Sequence, residues 1–334
     1  MSISSILQAP LKPIQTLMSE GVSKAQVGNI LKAIGLPILG LLVFLFLWQS
    51  ASNSIVTSLG NFPGPGEVVK QFNNLVGEHK EERAKVVERY ERQETRNAEK
   101  LAKNPDAKIT WREYKSRITF FDQILTSLIT VLCGFIVASL IAIPVGIIIG
   151  LSANSYAAIN PIIQTLKPVS PLAWLPLVTM VVSAVYVSDD PAVSKSFLVS
   201  MITVSLCCLW PTMINTAVGV AGVSKDLNNV SQVLRLNWMT HIRKIVIPSA
   251  IPMIFTGLRL SIGIAWMVLI AAEMLAQNPG LGKFVWDEFQ NGSSNSLGRI
   301  MVAILVIGFI GFLLDRIMLM IQQWVNWDKS AVVR

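Results

Sequence analysis

The side chains best placed to do chemistry are charges set in apolar sequence. Arg259 and Glu273 lie in or at the ends of one such stretch, between Ile251 and Leu275. A charge at the bilayer centre costs at least about 2.5–3.5 kcal/mol on insertion scales, so such groups face protein or water. Arg259 follows Pro248 by eleven residues. That places it about a third of the way in, where a guanidinium facing a passage would favour a passing anion. Glu273 is close to the outer end, and two readings stay open for it: snorkelling to the interface, or an interior role.

Catalytic patterns are missing. The sequence has no G-x-x-x-x-G-K-[ST] phosphate loop, no H-E-x-x-H and no G-x-S-x-G, so nothing in it hydrolyses ATP or builds a nucleophile with its base. His79 and His241 stand on different segments and make no metal cluster. Cys133, Cys207 and Cys208 fall in apolar spans with no C-x-x-C partner, and read as small packing residues. If the protein consumes energy, a partner supplies it.

The elements that must position these groups follow from composition. Of 334 residues, 52% are hydrophobic and 14% charged, against about 25% charged in soluble domains. The charge is uneven: 34–51 and 124–151 have almost none, while 78–117 is dense with it. A crossing helix needs about 20 apolar residues. Six spans meet or approach that length, at 33–54, 121–151, 171–187, 197–220, 251–275 and 300–321, which predicts an all-α polytopic membrane bundle. The third is crowded by Pro161, Pro168, Pro171 and Pro176, so the chain should be broken or kinked there.

Flanking charge sets the orientation. Lys12, Lys24, Lys32, Lys167, Lys225, Arg235, Arg243, Lys244, Arg316, Lys329 and Arg334 fall on one side. The short segments opposite carry Lys195, Lys283 and Arg299 against Asp189, Asp190, Asp287 and Glu288. The positive-inside bias puts both termini in the cytoplasm, with 1–32 and 323–334 as cytoplasmic ends. The net charge of +8 reflects these flanks and not a nucleic-acid stripe. The first thirty residues have no cleavable-signal pattern.

The segment 55–120 then lies outside. Over 78–103 it offers i,i+4 pairs Glu81–Lys85, Glu88–Arg92 and Glu99–Lys103, each contributing about 0.2–0.5 kcal/mol. They favour a solvated helix that buries little: an exposed insertion, or a docking arm for an outer partner. Inside the membrane, Gly134, Ala138, Ala142, Gly146 and Gly150 recur every four residues. Such a row lets another backbone approach closely, as a helix interface, a pore wall or a subunit contact would need. Ser261 and Ala265 make a weaker version.

Between the fourth and fifth spans, 221–248 reads A-G-V-S-K-D-L-N-N-V-S-Q-V-L-R-L-N-W-M-T-H-I-R-K-I-V-I-P. Val230, Val233 and Leu234 form one short helical face; Trp238, Ile242 and Ile245 form another. The phase breaks near Asn237, which predicts two short helices meeting at a turn. So apolar a loop on a wet face either docks on a partner or lies in the membrane interface.

The stretch 229–248 resembles the coupling loop of type I ABC importer permeases. Asn229, Val230 and Ser231 stand where E-A-A is usual, Arg235 stands at the Gly position, and Ile245 to Pro248 close the motif. Three further stretches resemble one branch, the permeases for nitrate, bicarbonate and related solutes: K-P-V-S-P-L-A-W-L-P from Lys167, W-P-T-M-I-N-T-A-V-G-V from Trp210, and T-G-L-R-L-S-I-G-I-A-W from Thr256, continuing to A-A-E-M-L at 271–275. G-L-G-K-F-V-W-D-E, ending at Glu288, and F-P-G-P-G-E at 62–67 fit as well. The resemblance covers about 121–322; the charged insertion is longer than that branch implies.

The resemblance implies a type I importer permease fold in a bacterial cytoplasmic membrane. It implies a second permease copy, separate ABC ATPase subunits using ATP and Mg, and an extracytoplasmic solute-binding protein, with no cofactor on this chain. It places Leu234, Arg235, Leu236, Asn237 and Trp238 at the ATPase contact, and Ser170, Trp174, Arg259 and Trp266 along the pathway. Nitrate or nitrite leads as substrate, bicarbonate next; taurine and other sulfonate permeases tend to carry a second Pro where Ser170 stands. A secondary transporter or channel would show acidic relays or inverted repeats, and a membrane enzyme a catalytic constellation.

Overall fold

Apolar spans cannot leave backbone N–H and C=O groups unpaired in lipid, and helices satisfy them within the segment. A computed structural model describes residues 31–57, 60–104, 108–187, 193–293 and 295–325. A π-helical turn, Leu31–Gly35, leads into α1, Leu36–Ser54. The strands β1, Val56–Thr57, and β2, Gly60–Asn61, pair as a small hairpin. The long helix α2, Pro65–Lys103, follows, then α3, Phe120–Leu151. Next come α4, Ala153–Leu166, α5, Pro171–Val185, and α6, Lys195–Ala221. Two short helices, α7, Lys225–Val233, and α8, Trp238–His241, precede a π-helical turn at Ile242–Val246. The described residues close with α9, Ile247–Ala276, α10, Leu281–Asn291, and α11, Ser296–Val325.

The core is three helices. The row of small residues on α3 meets α6: a Cβ on Gly134 would fall 2.8 Å from Val204, and one on Gly146 2.7 Å from Met213 O and Thr216. A Cβ on Gly150 would fall 2.6 Å from Ala217 O and Val220, while Ala138 and Ala142 are buried. The partners rise in step, so α3 and α6 run parallel, and the row is an interface within the chain. Helix α9 runs antiparallel to both. Gly257 sits against Thr212 and Asn215, and Ser261 Oγ donates to Cys208 O at 2.5 Å. Helix α11 then lies along α9, fixed by Trp266 Nε1 donating to Ile307 O at 2.9 Å.

The third expected span needs correcting. At 15 residues α5 is about 22 Å long, short of the hydrocarbon core. It makes a crossing only with α4, from which it bends by 99°. Pro171 at the start of α5 is pre-set for a helix but not for continuing one from Lys167. Among the described residues the result is five long spans, and a sixth where the bent α4–α5 pair is counted as one.

The charged helix also differs. It begins at Pro65, thirteen residues before the expected start, and its first third is buried at Val68, Gln71 and Leu75. Glu88–Arg92 is paired as expected, but Lys85 turns to Glu82 at 3.8 Å instead of Glu81. Gln71 reaches Asn295 at 3.0 Å and Glu78 forks to Arg299 at 2.8–2.9 Å, while Arg83 pairs with Asp122. These partners lie at the first turns of α11 and α3, so α2 runs across the helix ends opposite the 222–246 loop. The return segment stays on it: Arg112 N donates to Gln93 Oε1 and Arg117 N to Glu82 Oε1, both at 2.9 Å. Lys12, Lys24, Asp189, Asp190, Lys329 and Arg334 lie outside the described residues.

Candidate functional site

Three sites share one rod. The stretch Trp238–Ala276 passes as a single 39-residue helix, about 58 Å long. It carries Trp238 at one end, Arg259 in the middle and Glu273 at the other.

The first site is an elbow. Ser224 Oγ caps α7 by accepting from Leu227 N, and Asn237 Oδ1 caps α8 by accepting from Thr240 N at 2.8 Å. Between them the chain reverses at Arg235, whose φ is +46°. Arg235 N donates to Gln232 O and Leu236 N to Ser231 O, both at 3.0 Å. That is the Schellman pattern, whose left-handed residue is usually glycine. The Gly position of the coupling-loop motif thus has a physical reason, and Arg235 fills it at a cost. His241 Nδ1 and Ser231 Oγ, 2.8 Å apart, tie the two helices together.

This turn leaves an apolar crest outside. Trp238 and Leu234 are each 63% exposed, Val233, Val230 and Met239 are exposed beside them, and Leu236 is half-buried. The expected Trp238–Ile242–Ile245 face is divided: Ile242 and Val246 turn into the bundle, while Trp238 stays out. The π-helical turn at Ile242–Val246 makes that change of phase.

The second site is at mid-depth. Arg259 Nε and Nη2 donate to Asp315 at 2.6 and 2.9 Å, a bidentate fork. The pair lines a cavity of about 650 Å³ with Thr256, Gly263, Met267 and Gln322. Arg259 is 28% and Asp315 40% exposed at the side chain, which lipid would not tolerate at that depth, so the cavity wall must face water or protein. Sequence reasoning named Arg259 and missed Asp315. The signal available was an acid inside the 300–321 span.

The other pathway candidates are placed apart from it. Trp266 is buried, with its ring against Gly311. Ser170 is exposed and caps α5 by accepting from Leu172 N at 3.3 Å. Trp174, one turn on, is half-buried, and its Nε1 is shielded without a hydrogen-bond partner.

The third site resolves the two readings of Glu273 toward the interior. Its carboxylate is fully buried, accepting from Ser127 Oγ at 2.8–2.9 Å and from Gly282 N at 3.1 Å. Leu281 N donates to Ser127 Oγ at 2.9 Å. A Cβ on Gly280 would overlap the carboxylate, and one on Gly282 would overlap Ile270 O. The knot pins the α9–α10 loop to α3.

Comparisons with known proteins agree with one another. A family model described as binding-protein-dependent transport system inner membrane component matches residues 142–327. The chain is 34% identical over 296 residues to the bicarbonate transport system permease protein CmpB of Synechococcus elongatus, covering 88% of this chain and 90% of that one. The nitrate import permease protein NrtB of the same species is 38% identical over 212 residues, 64% of this chain and 71% of that one. Among solved structures, an inward-facing MetNI methionine ABC transporter aligns with TM-score 0.53 over 62% of this chain and 96% of that one, at 12% identity. This is a likeness of fold.

Proposed function

Because the chain belongs to the family of binding-protein-dependent transport system inner membrane components, we propose that it is the permease subunit of an ATP-driven importer that passes a small oxyanion, nitrate first. The observation that carries this is the elbow. A rigidly capped helical turn presents Val233, Leu234 and Trp238 to the outside, on a chain whose sequence holds no phosphate loop of its own. An apolar crest of that kind needs a partner surface. A groove on a separate ABC ATPase subunit, which uses ATP and Mg, supplies one.

On this reading two permease copies face each other in the bacterial cytoplasmic membrane, each with an elbow seated in an ATPase subunit, both termini cytoplasmic and lipid around the outer faces. A solute-binding protein delivers the anion to the side where α2 lies. Closure of the ATPases draws the elbows together, and the Trp238–Ala276 rod carries that displacement past the Arg259 cavity to the Glu273 knot. The path is therefore turned by packed helices moving as bodies. Bicarbonate is a second reading, favoured by the longer match: 90% of a bicarbonate permease against 71% of a nitrate permease.

The test is uptake of labelled nitrate and labelled bicarbonate by the complete complex in proteoliposomes, with ATP hydrolysis recorded in parallel. Wild type should accumulate one of the two. The double variant Arg235→Glu, Trp238→Ala should keep folding and lose the link, so that hydrolysis no longer drives uptake. Unchanged coupling in that variant contradicts the elbow assignment.

A further inference from the structure

Arg259 does not wait in the cavity as a bare cation: Asp315 holds it in a two-point fork at 2.6 and 2.9 Å. A carboxylate offers a guanidinium an edge of two oxygens on one trigonal atom, the geometry that arginine recognises best. Nitrate and bicarbonate offer the same edge. The fork uses Nε and Nη2 and leaves other guanidinium N–H donors uncommitted to Asp315. Both side chains are part-exposed on the wall of a cavity of about 650 Å³, where Gln322 and Thr256 add polar groups, Gln322 Nε2 donating to Thr256 Oγ1 at 3.2 Å. That space takes a small oxyanion with several waters.

We propose that Asp315 is a built-in competitor of the transported anion for Arg259, and so sets how tightly the anion is held. The inference rests on the reading of this cavity as part of the path. A lone arginine in a partly dehydrated wall would bind an anion tightly and release it slowly. Transport needs a site favourable enough to enter and weak enough to leave. With Asp315 present, the anion gains Arg259 only by sharing or displacing an existing partner, and the returning carboxylate helps expel it. The site keeps no net charge when empty, which also suits its depth. Asp315 is thus a positioning and affinity-setting residue, acting through Arg259.

The experiment is labelled nitrate and bicarbonate uptake by the full complex carrying Asp315→Asn, Asp315→Ser or Asp315→Glu. The neutral variants should lower the KM for the transported anion by about tenfold and lower the maximal rate, because release slows; Asp315→Glu should stay within about twofold of wild type. An unchanged or raised KM in a neutral variant that assembles and hydrolyses ATP overturns the inference while leaving the transport reading intact. Should both neutral variants fail to assemble while Asp315→Glu assembles, Asp315 serves the fold and the inference is likewise overturned. Failure of the wild-type complex to accumulate either anion overturns the transport reading itself.

Discussion

Arg235 shows what a single residue can report. Its φ of +46° is a conformation that costs an ordinary side chain roughly 1–2 kcal/mol, yet the Schellman bonds on either side require it. Arg235→Gly should therefore leave the unfolding free energy of the purified permease unchanged or raise it. Arg235→Val, β-branched and poorly suited to that region, should lower it by about 1–2 kcal/mol. Denaturant titration of the two variants reads the difference directly. The turn was legible in the sequence as a break of helical phase near Asn237, and its position held. Asp315 stood out as an acid in an apolar span, but its pairing was not legible, because nothing in a linear reading brings residue 315 to residue 259. Only the antiparallel packing of α9 and α11 does so. Glu273 was equally open until Ser127, 146 positions away, closed on it.

At the level of elements, hydropathy located every long span to within a few residues, since an apolar run admits little else in lipid. The failures came where tertiary contact decides. Helix α2 begins at Pro65, where docking of Val68, Gln71 and Leu75 stabilises turns that charge pairing alone would not. Helix α5 is too short to cross unaided, and its partnership with α4 depends on a 99° bend that prolines announce without fixing its angle. The row of small residues lies against α6, a partner that packing supplies and the spacing alone does not name. A large side chain there must force two backbones apart, at a typical cost of about 1–3 kcal/mol. Gly146→Leu should accordingly destabilise the purified protein by at least that amount, whereas Gly263→Ala, with nothing within 4 Å of its Cβ position, should not. Thermal unfolding of the two variants side by side makes the comparison.

Across the whole molecule the division of labour is longitudinal. One end holds an exposed apolar elbow, the middle an arginine–aspartate pair open to a cavity, and the far end a buried carboxylate knot beside the transverse helix α2. A single rod, Trp238–Ala276, passes through all three, so a displacement applied at the elbow has a stiff path to the others. On the reading proposed above, the elbow is the seat of an energy-supplying partner on the cytoplasmic side. The most direct measurement is labelling of a Trp238→Cys variant by a membrane-impermeant thiol reagent, applied to each face of sealed vesicles with and without the ATPase subunits. Labelling should come from the cytoplasmic face alone and be blocked once the ATPase subunits are bound; labelling from the outer face, or at an undiminished rate in the assembled complex, rules the elbow out as that seat.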